Sequence, residues 1–183
     1  VIFEKNADER REVASITKLM TALLVLEALD RDEIALTDSV QISPRAAAMK
    51  GSQALLDASA VYPLEDLLRT TIMASANDSA VALSEYIAGS EENFVDRMNR
   101  RAAELGMTNT NYVNCTGYPQ SGQYTTARDV CRLCCEIAKH PRYNQYASVW
   151  IDKLTHPGGR VTDLTNTNRL VRFYEGCDGY KTG

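Results

Sequence analysis

The sequence predicts a mixed α+β fold, with a helical middle and strand-forming stretches at both ends of the chain. Three observations carry this. Leu19-Met20-Thr21-Ala22-Leu23-Leu24-Val25-Leu26-Glu27-Ala28-Leu29 is apolar on nearly every side, as in a helix buried in a core, and is too short and too interrupted to span a bilayer. Leu64, Leu67, Leu68 and Ile72, and later Phe94, Met98, Ala102 and Leu105, recur at helical spacing. Val1 to Glu4 and Asp178 to Gly183 read as strands, the second entered through a glycine. At 183 residues the chain forms one domain with a sizeable core, residues 1–183, with a helical subregion over about 35–147.

The elements follow in order. After the first strand, Asn6-Ala7-Asp8-Glu9 is a turn, and the core helix runs from about Ser15 to Asp30-Arg31-Asp32, where charge replaces the apolar face. Asp38 to Ile42 is a short strand, Ser43-Pro44 starts a short helix, and Lys50-Gly51-Ser52 is a loop. Pro63 opens a helix that halts at the polar run Ala74 to Ser79, and Ala80 to Ala88 resumes as helix until Gly89. Ser90 caps a further helix closed by Gly106. Asn109 to Tyr124, rich in Asn, Thr, Gly and Pro, is a long ordered loop. Thr126 and Asp129 resemble a capping box at the start of a helix running to His140-Pro141. Ser148 to Leu154, Val161 to Leu164 and Leu170 to Tyr174 are β-prone, with a turn at Pro157-Gly158-Gly159.

The net charge of −4 gives no reason for a nucleic-acid or anionic-membrane partner. Both ends read as cut, so an internal piece of a longer precursor is expected. The five cysteines are an odd number. Cys131, Cys134 and Cys135 fall at i, i+3 and i+4 of one helix, which is either a metal or redox cluster or a set of small core residues. Metal sites usually pair two short ligand runs, and His140 lies past the helix end, so core residues are the expectation.

Three short motifs bear on chemistry. Ser15-Ile16-Thr17-Lys18 puts a hydroxyl and an amine on one face at the start of a buried helix, the arrangement that activates a serine without histidine. Ser75-Ala76-Asn77 lies in a loop between two apolar helices, and Lys181-Thr182-Gly183 on a late strand. Each motif is weak alone, since Ser-x-x-Lys occurs by chance and Ser75 could simply cap a helix. Their order and setting resemble the penicillin-recognising serine enzymes. Phe3 to Arg11, Ser75 to Leu83, Glu104 to Thr110 and Gly176 to Gly183 narrow the resemblance to the low-molecular-mass D-alanyl-D-alanine carboxypeptidases, over most of the chain.

The resemblance implies the penicillin-binding transpeptidase-like fold, an antiparallel sheet flanked by helices with the site in the cleft beside a helical region, and sheet strands that follow Lys-Thr-Gly. It implies Ser15 as nucleophile and Lys18 as its base, with Lys18 depressed from an ordinary pKa of about 10.4 by apolar surroundings, the helix dipole and Lys181. Ser75 would relay a proton toward the leaving amine with Lys181 tuning it electrostatically, Asn77 would hold the substrate amide and help fix Lys18, and Lys181, Thr182 and Gly183 would bind the terminal carboxylate and adjoining peptide. The implied partners are the peptidoglycan stem peptide ending in D-Ala-D-Ala and, as covalent inhibitors, β-lactam antibiotics; no metal or organic cofactor is called for. The enzyme would work outside the cytoplasmic membrane after export, with any membrane tether outside this chain. Cys115 stands where relatives commonly have proline, which would loosen that loop, and the deacylating Glu-x-x-x-Asn of class A β-lactamases is not found. The alternatives are an endopeptidase, transpeptidase or β-lactamase of the same fold, or a non-catalytic β-lactam sensor domain.

Overall fold

The computed structural model describes residues 2 to 183. A 3-10 turn, Ala14–Thr17, leads directly into helix α1, Lys18–Asp30, whose side chains are buried from Lys18 to Leu26 and again at Ala28. Helices α3 (Leu64–Met73), α4 (Asn77–Ala88), α5 (Glu91–Glu104), α6 (Ala127–Ile137) and α7 (Pro141–Ala147) all pack against it. A helix without a polar face can exist only in such a position, and each fully buried leucine on it contributes roughly 1.5–3 kcal/mol. Glu27, its one charged residue beyond Lys18 before the last turn, sits at the rim and pairs with Arg101 at 2.7 Å.

The caps stop and start these helices as expected. Ser43 accepts the Ala46 N–H at the head of α2 (Pro44–Ala47), and Ser90 does the same for Asn93 in α5. Gly89 closes α4 at φ 79°. At α6, Thr126 accepts the Asp129 N–H, but the Asp129 carboxylate does not return to the cap. It accepts instead from the Asn109 N–H and the Thr110 hydroxyl, so it ties the 109–124 loop to the helix.

Strand β1 (Ser39–Gln41) pairs antiparallel with β2 (Val61–Pro63), Val40 opposite Tyr62. Strand β3 (Ile151–Thr155) pairs antiparallel with β4 (Val161–Thr165), Lys153 opposite Asp163, and α8 (Leu170–Phe173) follows. The α+β class stands, with the sheet among the described residues confined to these two ladders.

Several elements differ from expectation. Ile2 to Glu4 form no strand and are exposed, and Val1 lies outside the described residues. Residues 178–183 are likewise not a strand. A strand needs a neighbour's hydrogen bonds. Residues 178–183 are tied instead by the Asn168 amide on the Gly179 carbonyl and by the Thr182 hydroxyl on Thr167, and the N-terminal segment has its backbone hydrogen bonds, among the described residues, only further on. Arg11 makes a single bridge to Thr125, and Arg128 donates its N–H to Ala7 and pairs with Asp8. In the stretch Leu170 to Tyr174, residues Leu170–Phe173 form a helical turn, which the Asn168 side chain starts by accepting the Leu170 N–H, and only Tyr174 is extended. The helix expected to reach His140 ends at Ile137, since Pro141 disfavours helical backbone at the residue before it and then serves as the first residue of α7. Of the cysteines, Cys115 is buried and Cys134 packs against the core, whereas Cys131 and Cys135 are exposed, so the core expectation fails for those two; all five are free thiols. His140 pairs with Asp30 at 2.7 Å.

Candidate active site

Ser15 lies in the 3-10 turn and Lys18 is the first residue of α1, one step tighter than the α-helical start the sequence suggests. In a 3-10 winding, residues i and i+3 eclipse, so the two side chains stack on one face. Lys18 Nζ donates to Ser15 Oγ at 3.0 Å and to the Thr116 carbonyl at 2.6 Å. Lys18 is 1 % exposed, whereas Ser15 is half-buried and reachable. Burial, and then the charge of Lys181, bring the Lys18 amine down to about 7. A neutral amine in hydrogen-bond contact with a reachable hydroxyl is the arrangement a serine needs to lose its proton.

The Thr116 carbonyl is held by an ordered loop. The N–H groups of Val113 and Asn114 donate to Gln123 Oε1, that of Cys115 to Glu91 Oε1, and those of Thr116 and Gly117 to Asn114 Oδ1. Cys115 therefore does not loosen this loop: its N–H is one of five consecutive donors satisfied by side chains, and proline has none to give. Thr21 on α1 adds a hydroxyl bond to the Cys115 carbonyl at 2.6 Å. Gly117, at φ +80°, presses against the residue before the serine, where a Cβ would fall 1.9 Å from the Ala14 carbonyl oxygen. Ala14 is itself at φ 46°, a left-handed conformation costly for alanine.

Ser75 and Asn77 stand at the junction of α3 and α4. Ser75 takes φ 61° and its buried Oγ has no hydrogen-bond partner; nor has Asn77 Oδ1. The Asn77 amide donates to the Lys50 carbonyl at 2.6 Å and its backbone N–H to Ser52 at 2.8 Å. Asn77 makes no hydrogen bond to Lys18 among the described residues, so its expected part in fixing Lys18 is not seen.

Asp78, fully buried, accepts from the N–H groups of Ala54, Leu56 and Ser79 at 3.0, 3.1 and 2.9 Å. It thereby moors the 50–56 loop that Asn77 also holds. Asp78→Ala would leave three buried donors unpaired, and we expect a loss of about 3 kcal/mol by denaturant unfolding of the full-length protein. A loss under about 1 kcal/mol would show that the loop finds other partners.

Lys181 and Thr182 are half-buried and Gly183 is exposed. Burial lowers the Lys181 amine to about 8, and its Nζ donates to the Thr182 carbonyl at 3.0 Å. The Thr182 hydroxyl donates to Thr167 Oγ1 at 2.8 Å. Gly183 runs beside the serine turn, where a Cβ would lie 2.5 Å from the Val13 carbonyl oxygen and 3.0 Å from an Ile16 side-chain carbon. The structure thus joins Ser15 and Lys18 directly, lays Gly183 beside them and brings Lys181 within electrostatic reach of Lys18. Sequence reasoning missed the Thr116 carbonyl, Gln123 and Asp78. The turn signal Asn114-Cys115-Thr116-Gly117 was the one clue to the first.

The whole chain, residues 1–183, matches the model of peptidase family S11, D-alanyl-D-alanine carboxypeptidase. It is 42% identical over 183 residues to the D-alanyl-D-alanine carboxypeptidase DacF of Bacillus subtilis, covering 100% of this chain and 47% of that one. The fold superposes on the crystal structure of the D-alanyl-D-alanine carboxypeptidase DacD from Francisella tularensis with a TM-score of 0.94 at 28% identity, covering 100% of this chain and 56% of that one. It also matches penicillin-binding protein D2 from Listeria monocytogenes in the ampicillin-bound form, with a TM-score of 0.78 at 31% identity, covering 99% of this chain and 72% of that one. The chain spans about half the length of the curated relatives it matches. It belongs to the D-alanyl-D-alanine carboxypeptidase family, peptidase family S11.

Proposed function

We propose that the protein is a serine-type carboxypeptidase that removes the terminal D-alanine from peptidoglycan stem peptides, and that penicillins acylate it at the same serine. The observation that carries this is the buried Lys18 amine, lowered to about 7 and 3.0 Å from the half-exposed Ser15 hydroxyl. Ser15 Oγ attacks the carbonyl carbon between the two D-alanines while Lys18 takes its proton. The Ser15 N–H, in a first turn with no helical acceptor before it, donates to the oxyanion. Collapse breaks the C–N bond, and the departing amine receives a proton through Ser75, whose buried Oγ has no other partner. Water then attacks the acyl ester, with Lys18 again the base.

Asn77, with its unpartnered Oδ1, accepts from the substrate's backbone amide. Lys181 and the Thr182 hydroxyl receive the terminal carboxylate, and Gly183 leaves room for the peptide to lie alongside. The helical subregion, about 35–147, forms the wall that carries Ser75 and Asn77. Peptidoglycan lies outside the cytoplasmic membrane, and there we place the enzyme after export; no described helix is long and apolar enough to cross a membrane.

The test is intact-mass and peptide mapping of the full-length protein mixed with benzylpenicillin, together with D-alanine release from a D-Ala-D-Ala stem peptide. The expected result is one penicilloyl group per chain on the peptide bearing Ser15, and release of one D-alanine per peptide. An adduct on another residue, or no adduct and no release from folded protein, would overturn the reading.

A further inference from the structure

Glu91 is nearly buried in the first turn of α5 and makes no hydrogen bond to Ser15 or Lys18 among the described residues, yet its two oxygens have separate partners. Oε2 receives the guanidinium of Arg45 on α2, and Oε1 accepts the Cys115 N–H at 2.9 Å. The same residue's carbonyl is fixed on its other side by the Thr21 hydroxyl at 2.6 Å. One peptide further on, the Thr116 carbonyl takes the hydrogen bond of Lys18 Nζ at 2.6 Å, and Lys18 also reaches Ser15 Oγ. A continuous chain of contacts therefore runs from Arg45 through Glu91, Cys115 and Thr116 to the amine.

We propose that Glu91 is a positioning residue for the reaction: it holds the 115–116 backbone so that the Thr116 carbonyl aims the Lys18 amine at Ser15. A lysine has four rotatable side-chain bonds, and the two acceptors are what fix its end. Thr116 offers its main-chain oxygen and not a side chain, so the aim is set by whatever anchors that backbone. Asn114 and Gln123 tie the turn within itself and to its neighbour, Thr21 ties the Cys115 carbonyl to α1, and Glu91 ties the Cys115 N–H to α5. Glu91 sits in the first turn of α5 and Arg45 grips its other oxygen, so the Oε1 acceptor is held in place. Glu91 touches neither Ser15 nor Lys18, so its effect falls on the rate of acylation and not on initial binding.

The inference rests on Ser15 and Lys18 being the acylating pair, and the experiment separates the two. Full-length parent, Glu91→Gln and Glu91→Ala are mixed with benzylpenicillin, and the adduct is followed by mass for both its rate constant and its final stoichiometry, with the dissociation constant of the first complex taken from the concentration dependence. Gln retains an oxygen for the Cys115 N–H, so Glu91→Gln should acylate within about threefold of the parent. Glu91→Ala should lose roughly tenfold or more in the rate constant, with the initial dissociation constant and final stoichiometry unchanged. A purely structural role would do the reverse, lowering stoichiometry and melting temperature while the folded fraction reacts at the parent rate, and that result would overturn the proposal. Equal rates in all three proteins would overturn it as well, leaving the Ser15–Lys18 reading standing. Failure of the parent itself to acylate would overturn both.

Discussion

Ser15→Ala is expected to abolish penicillin acylation and D-alanine release, by at least about 10⁴-fold, while leaving the fold and its melting temperature almost unchanged. The reason for the large loss is that the covalent bond of the proposed intermediate is made by this one oxygen. The reason for the small structural effect is that the oxygen is half-exposed and its single hydrogen bond comes from Lys18. Lys18 keeps the Thr116 carbonyl as an acceptor, so no buried donor is left wholly unpaired. We expect a stability change within about 1 kcal/mol, and retained non-covalent binding of a D-Ala-D-Ala peptide by the residues proposed to hold its carboxylate. The measurements are the intact mass after antibiotic, the rate of D-alanine release, a thermal melt and a peptide titration on the full-length protein. Covalent adduct formation in the variant would remove Ser15 from its assigned role.

Much of this arrangement was legible from the residues. The core helix could be read because an eleven-residue run with almost no polar face has one stable environment, and the cap residues Ser43, Ser90 and Gly89 act locally. Ser15 and Lys18 could be paired because spacing alone determines their contact; the 3-10 winding changed the detail and preserved the neighbourhood. What could not be read is what distant backbone supplies. The Thr116 carbonyl lies 98 residues from Lys18 in the chain and leaves no trace in residue type. Asp78 looked like one more polar residue in the Ser75 to Ser79 run, and only the fold shows that the amides of Ala54 and Leu56 end on it. Residues 2–4 and 178–183, expected as strand, illustrate the opposite error. β-prone composition states that a segment can pair, and pairing is a property of the neighbour as well.

Lys18→Met should lower the acylation rate about 10³-fold or more and remove the acid limb of its pH profile. In the parent, the amine must be neutral to accept the serine proton, and its value of about 7 predicts a rate that falls tenfold per pH unit below that point. In the proposed mechanism Lys181 must stay charged to receive the carboxylate, so D-alanine release is expected to decline again above about 8. The two amines repel each other, so these limbs belong to the pair and the resulting bell is narrow. Methionine fills similar volume but accepts no proton at any pH, and raising the pH should not rescue it. Stability supplies an independent check with a definite sign. The Lys18 amine is lowered from 10.5 to about 7 in the folded protein, so between these values the unfolded chain binds more protons and parent stability rises with pH. The destabilisation from burying the charge is present in full below about 7 and gone above about 10.5. The variant lacks this slope but leaves the Thr116 carbonyl without its donor, a loss of about 1–3 kcal/mol that does not vary with pH. Stability of the variant relative to the parent should therefore be greatest near pH 6 and decline steadily to pH 10, at ~1.4 kcal/mol per unit at most. A flat difference across that range in paired denaturant titrations would mean that Lys18 is folded with its proton on, and a base in that state cannot activate Ser15.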